Sequence, residues 1–315
     1  DQNETAEDHR DSSGMRVGFS TGWSENYWGD WFGAEQIGGS ERIVVEIATA
    51  LSRAGHQVTV RLPYLFPPAD GHARSHRGVT YVDRDVPSGV YDILFAADDF
   101  EPRDRATVQV LVACRSDPPR HADFHRMIFL SAHHAALMGH PGSPFVGGGV
   151  ELADYENPCK RIRRRVICTS SADRCPAASA IGEGFDFVHT YRPVGGIGQE
   201  LDRAALIRVQ QTAMAPIYPL DPVRPSDFFS MAVLESHAAG TPVIASDADS
   251  MPEMWGDSAW IIPRPIRLAE WHEATAELLL NRPLWRKFSE LSRRKAQNFT
   301  WDLQAARYLT IAMEA

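Results

Sequence analysis

The chain has 315 residues, 43% hydrophobic and 23% charged, enough to build one large or two modest cores, with two domains the better expectation. Its net charge of −9 argues against a protein that coats nucleic acid non-specifically, which needs a positive field to release counterions from phosphate, although a local basic patch stays open. Cys114, Cys159, Cys168 and Cys175 show neither CxxC spacing nor the density of a disulfide scaffold, and no apolar run approaches the roughly 20 residues that span a bilayer, so free thiols in a soluble, cytoplasmic chain are expected.

Residues 1–14 are polar and charged and read as a disordered tail. Residues 15–19 (MRVGF) then suit a first strand of a parallel sheet. Residues 22–37 carry Trp23, Tyr27, Trp28, Trp31 and Phe32 without helical or strand period; this is a loop that either has a binding task or folds its aromatics onto its own domain. From Gly38-Gly39-Ser40-Glu41-Arg42 a helix follows, with Ile43, Ile47, Ala50 and Leu51 on one face and Gly55 as C-cap, and residues 57–62 (QVTVRL) complete a βαβ unit.

Residues 91–96, 108–113 and 127–131 read as further buried strands of a parallel sheet. After Gly147-Gly148-Gly149-Val150 the chain turns basic at residues 160–165 (KRIRRR), and a domain boundary is placed near 155–158. Beyond it, strands are expected at 166–169, 185–189, 215–218 and 241–245, a helix at 231–239, and helices over 268–280 and 284–313. The stretch 175–215 has the least regular period, because residues 193–198 interrupt it.

A Gly-Gly pair opening a helix lets phosphate reach backbone N–H groups, whose dipole favours anions; the alternative is a turn that needs positive φ. In residues 225–245, Asp227 stands before a helix and Glu235 within it. That suits a sugar diphosphate, with Ser230 and Met231 supplying N–H groups and the carboxylates taking hydroxyls. The bland alternative is that Asp227 caps the helix and Glu235 is solvated.

On these residues the chain resembles the retaining glycosyltransferases of family four, a GT-B family. Residues 38–60 are similar to its Gly-Gly helix and following strand, and residues 223–245 to its donor block, with Asp-x7-Glu where the family usually has Glu-x7-Glu. Residues 129–134, 148–151 and 301–309 are similar to its strand before the crossover, its Asn-Gly-Val-Asp turn and its closing Trp-containing helix.

The resemblance implies an α/β GT-B fold of two Rossmann-like domains facing a cleft. Residues 15–156 would form the acceptor domain, joined by a returning helix at about 298–315, and residues 157–297 the donor domain. It further implies hexose transfer from a nucleotide sugar, a UDP-sugar in the first instance, with retention and no required metal. An Asp-x-Asp at Asp247-Ala248-Asp249 is expected to be an ordinary loop.

Carried over by position, Gly38 and Gly39 lie against the diphosphate, Arg174 supplies a cation, Asp227 holds a sugar hydroxyl and Glu235 binds ribose hydroxyls. Asp227 and Arg174 are the catalytic candidates. Ser179 stands where the family has a lysine and Ser116, beside Asp117, where it has a histidine, which keeps open a degenerate sugar-nucleotide-binding protein. For the acceptor, Trp23, Trp28, Trp31, Arg115 and Asp117 are the candidates. A saccharide or lipid-linked glycan is expected, with hydroxymethylpyrimidine DNA as the alternative if the basic residues 115–126 and 160–165 line the cleft.

Overall fold

A computed structural model of the chain describes residues 14–22, 39–63, 73–83, 85–99, 102–114, 124–157, 159–190, 201–223 and 225–315. The first half forms β1 (Arg16–Thr21), α1 (Gly39–Arg53), β2 (Gln57–Arg61), β3 (Ala73–His76), β4 (Val79–Val82), β5 (Val90–Ala97), β6 (Arg105–Val112), β7 (Arg126–Ile128) and α2 (Ala132–Leu137). Its seven strands order as β3-β4-β2-β1-β5-β6-β7, so from β4 onward the sheet has the doubly wound order 3-2-1-4-5-6. Strands such as β1 and β5 are buried nearly throughout, as strands of a parallel sheet covered on both faces are.

The expectation of a purely parallel sheet is corrected at one edge, where β3 pairs antiparallel with β4. The link is a two-residue turn, Arg77 and Gly78, both at positive φ (50° and 81°), and a link this short permits only antiparallel pairing. The sequence hid it because β3 (ARSH) is polar and half-exposed, and because Arg77 holds its turn conformation through a bidentate pair with Glu46 of α1 at 3.0 and 2.9 Å.

A 3₁₀ turn at Leu152–Tyr155 leads to the second half. It comprises β8 (Arg165–Cys168), α3 (Ala178–Gly182), β9 (Asp186–His189), α4 (Arg203–Thr212), β10 (Ala215–Tyr218), α5 (Met231–Ala238), β11 (Ile244–Ser246), α6 (Met251–Trp255), β12 (Trp260–Ile262), α7 (Leu268–Leu280), α8 (Arg282–Ala296) and α9 (Trp301–Met313). The strands order as β12-β11-β10-β8-β9, all parallel. The irregular stretch 175–215 thus contains α3, β9 and α4, the last started by Asp202, whose carboxylate accepts from Ala205 N at 2.6 Å.

The helical stretch expected over 284–313, with its closing helix at 301–309, is two helices, α8 and α9. A 3₁₀ turn at Gln297–Phe299 breaks it, and Thr300 caps α9 by accepting from Leu303 N at 3.3 Å. The break lets α9 pack on α1, β6 and β7 of the first sheet. Val150 N donates to Phe299 O at 2.8 Å where the returning chain passes Gly149. No helix among the described residues is long and apolar enough to cross a membrane.

The return of α9 depends on that close approach. A Cβ at Gly149 would sit 2.6 Å from Cε3 of Trp301 and 2.9 Å from its backbone nitrogen. Because backbone cannot swing aside, Gly149→Ala should destabilise the fold by about 1–3 kcal/mol, read as a lower urea midpoint. An unchanged midpoint would mean that α9 is not held against this turn.

Candidate functional site

In doubly wound sheets the ligand crevice opens at the carboxyl ends of the strands where the order reverses. In the first sheet that point lies between β1 and β5, and Gly39, the first residue of α1, follows β1. In the second it lies between β8 and β10; Arg174 follows β8, while Asp227 and the start of α5 follow β10. The two crevices meet: a Cβ at Gly39 would lie 3.6 Å from Cγ of Met231, and one at Gly148 would lie 2.3 Å from its sulfur. Gly39, Arg174, Asp227, Ser230, Met231 and Glu235 are therefore brought to one region.

Ser230, not Asp227, caps α5, its hydroxyl accepting from Val233 N at 3.4 Å. Asp227 is instead buried, with Arg174 Nη1 3.8 Å from its carboxylate. Its backbone is fixed by Asp249, whose Oδ2 accepts from the N–H groups of Ser226 and Asp227 at 3.0 Å each, and by Ser250, whose Oγ donates to Asp227 O at 2.9 Å. Burial, helped by the charge of Asp249, pushes the Asp227 carboxyl above its usual range against the pull of Arg174 and Ser230. In the same loop Asp247 Oδ1 accepts from Arg264 N at 2.9 Å, so both acids of the Asp-x-Asp have protein partners.

Glu235 is not on a solvated face. Its side chain is 4% exposed, and Oε1 receives Nη1 of both Arg42 and Arg203 while Oε2 accepts from Gln210 Nε2 at 3.0 Å. Arg203 also reaches Asp154 at 3.2 Å, and Tyr155 OH donates to Gln210 Oε1 at 2.9 Å. Burial opposes the charge on Glu235, but Arg203, Arg42 and Gln210 together outweigh it and hold the carboxyl at about 2. Sequence reasoning missed Arg42, Arg203 and Gln210 as parts of the site. A signal existed for Arg42, which lies three residues and so one helical turn beyond Gly39; nothing marked the other two before α4 was placed.

Two further contacts join the halves. Glu253 of α6 accepts from the backbone N–H groups of Ala132 and His133 at 2.8 and 2.7 Å. The ring of His134 stacks on Phe228 at 4.0 Å.

The basic run 160–165 does not line the crevice, so the condition set for the DNA alternative is not met by these residues. It precedes β8 and so meets the sheet at the amino edge, opposite Arg174 and Asp227. Arg161 is turned inward onto the carbonyls of Ala213 and Ala239, at 2.7 Å each, Arg164 donates to Gly184 O, and Arg165 pairs with Asp186 at 3.0 Å. Ser179 is exposed on α3. Gly38, Trp23, Trp28, Trp31, Arg115, Ser116 and Asp117 lie outside the described residues. The four cysteines are free, and among the described residues no group of three or more His, Cys, Asp and Glu side chains is arranged to hold a metal.

The Glu235 network has an acid signature. A carboxyl held at about 2 in the fold against an ordinary 4.5 contributes stability that is complete above pH 4.5 and lost as pH falls through about 2. That gap corresponds to on the order of 3 kcal/mol. Glu235→Gln should be less stable than wild type at pH 7 and should lose less on acidification between those limits, by urea unfolding. Parallel acid profiles for the two proteins would exclude the network as a stabilising element.

Residues 200–295 match the family model for glycosyl transferases group 1. No curated protein matches the sequence. Among solved structures, the chain is similar to AviGT4, a glycosyltransferase involved in avilamycin A biosynthesis, with a TM-score of 0.70 and 15% identity over 96% of this chain and 99% of that one. It is similar to sucrose-phosphate synthase from Thermosynechococcus elongatus, with a TM-score of 0.66 and 12% identity over 95% and 98%. It is also similar to HepE from Anabaena in complex with UDP-glucose, with a TM-score of 0.60 and 12% identity over 94% and 99%. At these identities the likeness is one of fold, and the fold is GT-B.

Proposed function

We propose that this chain, a glycosyltransferase of GT-B fold with a group 1 domain at residues 200–295, moves a hexose from a UDP-sugar or related donor to a saccharide or lipid-linked glycan hydroxyl, with retention. The observation that carries the reading is the convergence of Gly39, Arg174, Asp227 and the first turn of α5 on one crevice. Residues 15–156 with 298–315 would act as the acceptor half and 157–297 as the donor half. The free cysteines suit action in the cytoplasm.

As the sugar leaves, negative charge grows on the β-phosphate of the departing nucleoside diphosphate, and its stabilisation is the largest catalytic contribution expected. Backbone N–H groups at Gly39 and at Met231 in the first turn of α5 face that charge, and Arg174 adds a cation. Arg174 is part-exposed, its Nε donating to Ser171 Oγ at 3.1 Å and its Nη1 3.8 Å from the Asp227 carboxylate, which sets a cation beside that acid. Asp227 is then left to accept a hydroxyl of the transferred sugar, and its backbone anchors at Asp249 and Ser250 keep it in place. Glu235 takes the ribose. The DNA alternative loses the support of residues 160–165, which lie on the far edge of the sheet.

Incubating the pure protein with nucleotide sugars should release nucleoside diphosphate slowly, and mass spectrometry of acceptor mixtures should show a hexose added. Arg174→Ala should lower kcat by about 10²–10³ with a smaller change in KM, since it removes a donor to charge that appears in the transition state. If no UDP-, GDP-, ADP- or TDP-sugar is turned over and none of the diphosphates raises the melting temperature at millimolar concentration, the chain is not an active transferase.

A further inference from the structure

A carboxylate offers four lone-pair positions, two on each oxygen. On Glu235, Oε1 receives Nη1 of Arg42 and Nη1 of Arg203, and Oε2 receives Nε2 of Gln210, which leaves one position, on Oε2, unfilled by the described residues. A ribose brings two neighbouring hydroxyls. Glu235 has room for one.

The crowding on Oε1 is not easily relieved. Arg203 is fixed by Asp154 at 3.2 Å and by Tyr155 OH at 3.4 Å. Arg42 reaches over from α1 with its side chain 15% exposed and its guanidinium 5.9 Å from the centre of the Trp301 ring. A guanidinium–carboxylate hydrogen bond is roughly twice as strong as one from a neutral donor, so a neutral hydroxyl does not displace Arg42 from a buried carboxylate. The low position of the Glu235 carboxyl agrees with a site already satisfied by cations.

We propose that Arg42 is a specificity-determining residue of the donor site: by filling Oε1 of Glu235 it restricts that carboxylate to a single ribose hydroxyl, received on Oε2. Donor recognition therefore depends on one of the 2′- and 3′-hydroxyls and is indifferent to the other. The proposal rests on Glu235 meeting the ribose, and it adds that the meeting is one-handed. The chemical class of donor it admits includes nucleotides that lack the unread hydroxyl.

The test uses the full chain and isothermal titration. UDP, GDP and ADP are tried first, and the 2′-deoxy and 3′-deoxy forms of whichever binds are then compared with it. One deoxy form should bind about tenfold or more weakly, the usual loss for a hydrogen bond to a charged group, and the other within about twofold of the parent. Tenfold losses for both would overturn the one-hydroxyl proposal and leave Glu235 at the ribose. No loss for either, or no binding of any diphosphate, would overturn the ribose assignment itself. Arg42→Met keeps an unbranched stem near Trp301 and frees a position on Oε1, so in this variant the second deoxy substitution should also cost about tenfold. An unchanged pattern in Arg42→Met would show that Arg42 is not what limits Glu235; if the variant does not fold, the wild-type comparison decides alone.

Discussion

A carboxylate stripped of water must be given partners or give up its charge, and the position of Glu235 makes that constraint the organising one here. Its partners come from two helices: Arg42 on α1 in the first half, and Arg203 and Gln210 on α4 in the second. Through Arg203 and Gln210 the same network reaches Asp154 and Tyr155, in the 3₁₀ turn that joins the halves. One buried charge thus ties the first helix, the connection and the donor-side helices together. Arg42 on Glu235 is one of the contacts that join the two faces of the crevice, beside Glu253 on the Ala132 and His133 N–H groups and His134 on Phe228.

The second acid of the site is treated in the opposite way. Asp227 is buried too, but it has one cation at 3.8 Å and a like charge nearby, and its carboxyl is raised where that of Glu235 is depressed. Two carboxylates eight residues apart are thereby given different work. Glu235 is held by two arginines and a glutamine, with one position on Oε2 left by the described residues, while Asp227 has a looser cation partner and Ser230. Phe228 and Phe229, packed between them against His134 and the Gly147 backbone, keep the segment from relaxing toward water.

Most strands and the Gly-Gly helix were legible because a parallel sheet buried on both faces writes itself as short apolar runs, as in residues 91–96 and 166–169. What escaped was short or polar: the β3 hairpin and the six-residue α2, while the returning helix was expected but its start at Thr300 was not, since no proline or glycine marks the end of α8. Asp227, Arg174 and Glu235 could be named from their spacing, but their surroundings could not, since Arg42 lies 193 residues from Glu235. That the place of residues 160–165 stayed open in the sequence has a related cause. Consecutive arginines look alike in sequence, and only the strand direction shows which edge of the sheet they meet.

Arg161 shows what such a residue does instead. Its guanidinium donates to the carbonyls of Gln210 and Ala213 at the end of α4 and to those of Ala239 and Gly240 at the end of α5, over the face of Trp285. Burial, with Arg293 nearby, lowers its pKa to about 10, which leaves it charged at neutral pH and matched to two negative helix ends. With their carboxyl ends captured by one cation, α4 and α5 run side by side in the same sense, and Gln210 reaches from one to Glu235 on the other. Their amino ends then open together toward the crevice, one bearing Arg203 and the other Ser230 and Met231. A cation at the rear of the domain thus binds together two helices whose positive ends lie at its front.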